Sequence, residues 1–104
     1  MKKLALLSAL AASAFIATPA MADPQASMTK AGCMACHAKD RKMVGPSFQE
    51  IAAKYKGKGA EATLFEKVRK GGAGSFGPVP MAPNSAEKIN DADLKAAIDF
   101  ILKS

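Results

Sequence analysis

Five consecutive residues, Cys33-Met34-Ala35-Cys36-His37, hold both cysteines and the single histidine of this 104-residue chain. Thiols and imidazole are among the most reactive and best metal-binding groups a protein has, and concentrating them at one point limits the folds that can use them. Any further partner of the cluster must be a different residue type, carried to it from elsewhere in the chain. The company of the motif therefore matters as much as the motif.

The chain begins with Lys2 and Lys3, runs through the apolar stretch Leu4 to Ala17, and reaches Ala20-Met21-Ala22. A basic start, a 14-residue apolar run and a small-x-small site are the marks of a secretory signal peptide. The run is shorter than the roughly 18 or more residues expected of a membrane-spanning helix. Residues 1–22 are thus expected to be a cleaved signal peptide, and residues 23–104 the mature domain, with export to the periplasm and no stable membrane insertion. An uncleaved anchor is the alternative. The mature part has 82 residues, and loss of Lys2 and Lys3 leaves 13 Lys+Arg against 9 Asp+Glu, a formal charge of +4. A chain of this size forms one domain with a marginal core, for which a cofactor or cross-link is a usual reinforcement. Its lysines are scattered and its aromatic residues few, which argues against a nucleic-acid surface.

Four helices are expected in the mature chain. Asp23-Pro24 supplies an N-cap followed by proline at the first helical position, with Gly32 as the stop. Ser47-Phe48-Gln49-Glu50 reads as a capping box, and Phe48, Ile51, Ala52 and Tyr55 follow at helical spacing before Gly57 and Gly59. A third helix is expected from about Ala60 to Lys70, burying Leu64, Phe65 and Val68, with Lys67, Arg69 and Lys70 at its negative end. The fourth opens at Asn90, with Ile89 and Leu94 as a hydrophobic staple and Leu94, Ile98, Ile101 and Leu102 as its buried stripe, flanked by Phe100. No strand period appears, so the fold class is all-α. Between the last two helices, Gly71 to Asn84 carries four glycines and three prolines in 14 residues. A segment of that length without a helical or strand period is commonly functional, and its prolines make it a shaped loop.

Three chemistries could use the cluster. A thioredoxin-type thiol site normally lies beside a βαβ unit, and this chain has no strands for one. Structural zinc takes four Cys or His ligands, where only three exist, and a plain disulfide leaves His37 without a role. Covalent attachment of haem needs Cys-x-x-Cys-His: two cysteines three apart reach the two vinyl groups of one porphyrin, and the next residue offers its imidazole to the iron. Export suits this third reading, since such proteins are completed outside the cytoplasm. It predicts one haem c per chain, bound through Cys33 and Cys36, with His37 as an axial iron ligand.

The second axial position must come from a methionine or remain free of protein. Met34 lies within the motif, Met43 follows His37 too closely to cross the ring, and Met28 falls in the first helix, where packing is its ordinary use. Met81 stands in the proline-rich loop, 44 residues beyond His37, a separation that lets the chain wrap around a haem. Its alternative is a packing or surface role. Histidine and methionine together fill both axial sites and raise the reduction potential, which suits a carrier of single electrons.

Cys33-Met34-Ala35-Cys36-His37, Val44-Gly45-Pro46 and Gly77-Pro78-Val79-Pro80-Met81-Ala82-Pro83-Asn84 resemble the short bacterial class I cytochromes c of the cytochrome c-551/c-552 type. The resemblance extends over the mature chain and implies the cytochrome c fold, about four helices around one covalently bound haem. It implies Cys33 and Cys36 as thioether anchors, His37 and Met81 as axial iron ligands, Pro46 as the acceptor of the His37 Nδ1 proton, and Asn84 as a hydrogen-bonding neighbour of the methionine sulfur or a turn former. Lys67 and Arg69 are placed near the haem propionates or in solvent. Two positions depart from the pattern: Phe76 where many relatives have tryptophan, removing an indole donor, and Met28 where an aromatic residue is common. The function implied is periplasmic electron transfer, without enzymatic activity, by a monomer that docks transiently on donor and acceptor redox proteins at an exposed haem edge. The competing class is a small haem enzyme or gas-binding protein with a displaceable Met81.

Overall fold

The order of capping residues along the chain translates directly into helices in the computed structural model, which describes residues 23–104. The expected signal peptide lies outside the described residues. Helix α1 spans Pro24–Ala31, α2 Phe48–Tyr55, α3 Glu61–Lys70 and α4 Asp91–Leu102, and no β-strand occurs among the described residues. The all-α expectation holds.

Each helix end has a local cause. Asp23 accepts from the Gln25 N–H at 3.2 Å, and Gly32 closes α1 in the left-handed region at φ 88°. A single 3₁₀ turn at Cys33–Ala35 follows, which helical periodicity did not foresee. The capping box on α2 is complete: Ser47 Oγ accepts from Glu50 N–H at 3.1 Å, and Glu50 Oε2 accepts from Ser47 N–H at 3.0 Å. Ala60 precedes α3 as its N-cap but offers no side-chain acceptor, so Glu61 in the first turn and Lys67, Arg69 and Lys70 in the last support the helix through its dipole. Asn90 Oδ1 accepts from Asp93 N–H at 2.8 Å and starts α4.

Helix α4 is the element against which α1, α2 and α3 all pack. Its Leu94, Ala97, Ile98 and Leu102 are buried together with Met28 of α1, Phe48 of α2 and Ile89, the outer half of the expected staple. Met28 is only 1% exposed, so this position keeps its packing role without an aromatic ring. Phe100 packs on the same cluster and meets Phe48 edge to face, with ring centroids 6.5 Å apart. Burying a side chain of this size contributes roughly 1.5–3 kcal/mol relative to exposure, so the small cluster carries much of the domain. Leu64, Phe65 and Val68 of α3, with Ile51, Tyr55 and Ile101, are half-buried rather than fully buried. The core is thus concentrated on the α1–α4 side, and α3 presents partly covered apolar side chains.

The glycine-rich loop is held at several points. Gly72 and Met81 form an isolated antiparallel bridge, Gly74 N–H donates to Gly77 O at 2.9 Å, and Lys54 Nζ donates to Ser75 O at 2.6 Å. The Lys54 ammonium lies 4.7 Å from the Phe76 ring centre, and Phe76 meets Tyr55 edge to face. Phe76, though 38% exposed, makes these contacts with its ring alone and needs no indole donor for them.

Candidate functional site

Gly32 breaks α1 and the 3₁₀ turn re-aims the backbone, so that Cys33, Cys36 and His37 leave the helix on a short, tightly bonded segment. Cys36 and His37 N–H both donate to Cys33 O, at 3.2 and 3.1 Å. Neither cysteine is in a disulfide, and Cys33 is half-buried while Cys36 is exposed. Burial pushes the Cys33 thiol above its ordinary range, opposed by a backbone hydrogen bond and assisted by Cys36.

His37 is oriented by two neighbours and a backbone. Its Nδ1 lies 2.7 Å from Pro46 O, so the ring nitrogen carries the proton and donates, leaving Nε2 as the basic atom. Phe48 stacks on the ring at 5.8 Å between centroids. Gly45 supplies the third wall: a Cβ there would stand 2.6 Å from His37 Cε1 and 3.0 Å from Nδ1, closer than atoms tolerate. The turn is tied in by Gly45 N–H to Cys36 O at 2.8 Å. The relation of Pro46 to His37 matches the resemblance; the roles of Gly45 and Phe48 were not legible, because a glycine before a proline and an apolar residue opening a helix have many ordinary uses.

Met81 comes from the loop between α3 and α4 and is fixed by its backbone. Gly72 N–H donates to Met81 O and Met81 N–H to Gly72 O, both at 2.9 Å. Gly71, at φ 68°, lies directly against Met81 O, Ala82 and Pro83, and a Cβ on it would collide with that backbone. Met81 itself is half-buried. The following Asn84 donates from its backbone N–H to Val68 O at 3.0 Å and from Nδ2 to Ala82 O at 3.1 Å and Val68 O at 3.4 Å. Its amide thus braces the methionine segment against α3.

Arg69 lies neither in solvent nor free to turn. Its Nη1 donates to Ile89 O at 2.7 Å and Asn84 O at 3.3 Å, and its Nη2 pairs with Asp91 Oδ1 at 2.6 Å, while the guanidinium covers the Phe65 ring. Lys67 is half-buried beside Gly72. The resemblance gave no hint of the Arg69 arrangement, since its three acceptors lie 15 to 22 residues away.

The donor set fits a covalently held haem: two cysteines spaced for thioether bonds and not engaged with each other, an imidazole with Nε2 unengaged by its orienting bond, and a thioether on a pinned loop. The close approach that only a glycine allows beside His37 also keeps the imidazole in one orientation. When bound, such a group supplies one-electron chemistry at iron.

Comparison with known proteins agrees with the geometry. The family described as Cytochrome c matches residues 21–104. Cytochrome c2 of Rubrivivax gelatinosus is 55% identical over 84 residues, covering 80% of this chain and 99% of that protein. Cytochrome c-551 of Pseudomonas aeruginosa is 42% identical over 104 residues, covering 98% and 97%. Among solved structures, wild-type cytochrome c552 of Nitrosomonas europaea superposes with a TM-score of 0.68 at 40% identity, over 76% of this chain and 96% of that one. With helices, motif and relatives in agreement, the chain belongs to the cytochrome c family, and it is a monohaem electron-carrier cytochrome with covalently bound haem c.

Proposed function

We propose that this protein is a periplasmic shuttle that passes single electrons between larger redox proteins and catalyses no reaction of its own. Residues 1–22 direct export and are removed before Asp23. Cys33 and Cys36 hold the haem, His37 Nε2 and the Met81 sulfur take the two axial positions, and Pro46 and Asn84 orient them. The observation that carries this reading is the 2.7 Å contact between His37 Nδ1 and Pro46 O. Accepting that proton fixes the tautomer, aims Nε2 and makes the imidazole a stronger donor. The bridge between Gly72 and Met81 supports a second ligand whose backbone is set in advance, so that little rearrangement accompanies a change of oxidation state. A site with both axial positions filled excludes substrate, which separates a carrier from a peroxidase or gas binder.

Docking is proposed on the face around the haem edge. Val44 and Val79 are 55% and 57% exposed, and Ala35, Pro80 and Ala82 are exposed as well; these are the apolar residues proposed for the contact, with the exposed Lys39, Lys42 and Lys88 proposed as its rim. Transient partners with acidic rims suit such a face, which favours encounter over long residence.

The test of the site is Met81→Ala in protein purified from the periplasm. The wild type should have the mass of a chain starting at Asp23 plus one haem, show the near-infrared sulfur-to-iron charge-transfer band, and resist carbon monoxide. Met81→Ala should abolish the band, lower the reduction potential and admit the ligand. A band that survives Met81→Ala but is lost in Met28→Ala or Met43→Ala would overturn the assignment.

A further inference from the structure

We propose that Arg69 is a positioning residue for Met81: a latch that closes the segment following the methionine and thereby sets how often the sulfur leaves the iron. The inference rests on the reading of Met81 as an iron ligand and goes beyond it by naming what holds that ligand in place.

Arg69 stands in the last turn of α3, one residue after Val68, whose carbonyl receives both the backbone and side-chain N–H groups of Asn84. The guanidinium binds the same residue from its other side, at Asn84 O, and then reaches Ile89 O and Asp91 at the start of α4. Three acceptors on one planar fork tie both ends of residues 84–91 to α3. Met81 is three residues before that tie, and its own backbone is bonded to Gly72 immediately beyond the end of α3. Opening of Met81 therefore has two hinges, and Arg69 restrains the one on its C-terminal side.

The guanidinium side chain is 16% exposed and its charge is matched by one carboxylate and two carbonyls. Removing it would leave carbonyls without their charged donor, and hydrogen bonds to charged groups are among the stronger ones. Lysine cannot copy the arrangement, because an ammonium is a point charge without the fork. Asp91 is 71% exposed, so its share of the latch is small compared with that of the two carbonyls.

The experiment is imidazole binding to the ferric holoprotein, where at saturating imidazole the rate reports release of the methionine. Arg69→Met should raise that rate roughly tenfold or more, and Arg69→Lys by less, on the scale of one lost charge-assisted hydrogen bond. Asp91→Asn should change it less than threefold, as expected of an exposed pair. Leu102→Val, at the far end of α4, serves as a control for general destabilisation. In a Met81→Ala background, Arg69→Lys should no longer alter the rate, since the step it governs is gone. If Met81→Ala removes the charge-transfer band but Arg69→Met and Arg69→Lys exchange at the wild-type rate, or no faster than Leu102→Val at equal stability, the latch is refuted while the ligand assignment stands. If Met81→Ala leaves the band intact, the ligand assignment falls and the latch with it. Should Arg69→Met fail to fold, Arg69→Lys decides the matter alone, because it keeps the charge and loses only the fork.

Discussion

At Gly45 a missing methyl group determines the geometry of an imidazole. Its backbone conformation is not one that only glycine adopts; the need is spatial, because a Cβ would stand 2.6 Å from His37 Cε1. Gly45→Ala should push the ring away from Pro46 O, where Nδ1 now donates at 2.7 Å. Overfilling a packed site costs about 1–3 kcal/mol. Part of that loss should appear as a lower denaturant midpoint, and part as a shifted reduction potential and altered His37 ring resonances in the ferrous protein. A midpoint and potential equal to those of the wild type would show that the ring does not depend on this wall. Cys33, buried enough for its thiol to be raised, and Cys36, exposed, make the same point about neighbours: two chemically identical residues three apart meet different surroundings.

Helix α2 joins His37 to the core. Pro46 receives the His37 proton, Ser47 caps the helix, and Phe48 packs on both His37 and Phe100. Ser47 is 3% exposed and its Oγ is the acceptor for Glu50 N–H in a part-buried bond, so losing the hydroxyl leaves that donor without its partner. Ser47→Ala should therefore cost about 1–2 kcal/mol, the upper part of the range for a lost N-cap. For a domain of this size it should lower the thermal midpoint by roughly 4–8 °C per kcal/mol. Calorimetry on the holoprotein checks the value, and an unchanged midpoint would mean that another acceptor takes over the cap. Asn90, which caps α4 from an exposed position, should be less sensitive to the same replacement because solvent reaches its partner.

Over the whole molecule, α1, α2 and α3 all pack on α4, and the docking face proposed above lies among scattered charges. Residues 23–104 carry a formal charge of +4 that is scattered along the sequence, so electrostatic steering should be modest. Electron-transfer rates with a periplasmic reductase or oxidase should fall mildly as salt rises. Ala82→Glu should slow transfer more than Lys42→Glu, because the first puts a charge into the apolar contact and the second changes only its rim. Equal rates for both variants and the wild type would move the docking face elsewhere.

Local chemistry made the helix boundaries legible: Asp23-Pro24, the Ser47–Glu50 box, Asn90 and the glycines at 32 and 71 act within a few residues of themselves, and all appear where the sequence puts them. The same holds for the haem motif, whose five residues need only their own spacing. Met81 could be singled out because its loop is unusual in composition, but what pins it could not, since the Gly72 bridge needs the backbone of two segments to meet. Nor could the exchange of Arg69 from a charge on a helix end to a clamp on Asn84, Ile89 and Asp91, the overfilled space beside Gly45, or the half-burial of Leu64, Phe65 and Val68. A cap or a turn is an energy between near neighbours and is written in order along the chain. A clamp, a wall or an incompletely covered face is a relation between distant residues, and it exists only once packing on α4 has brought them together.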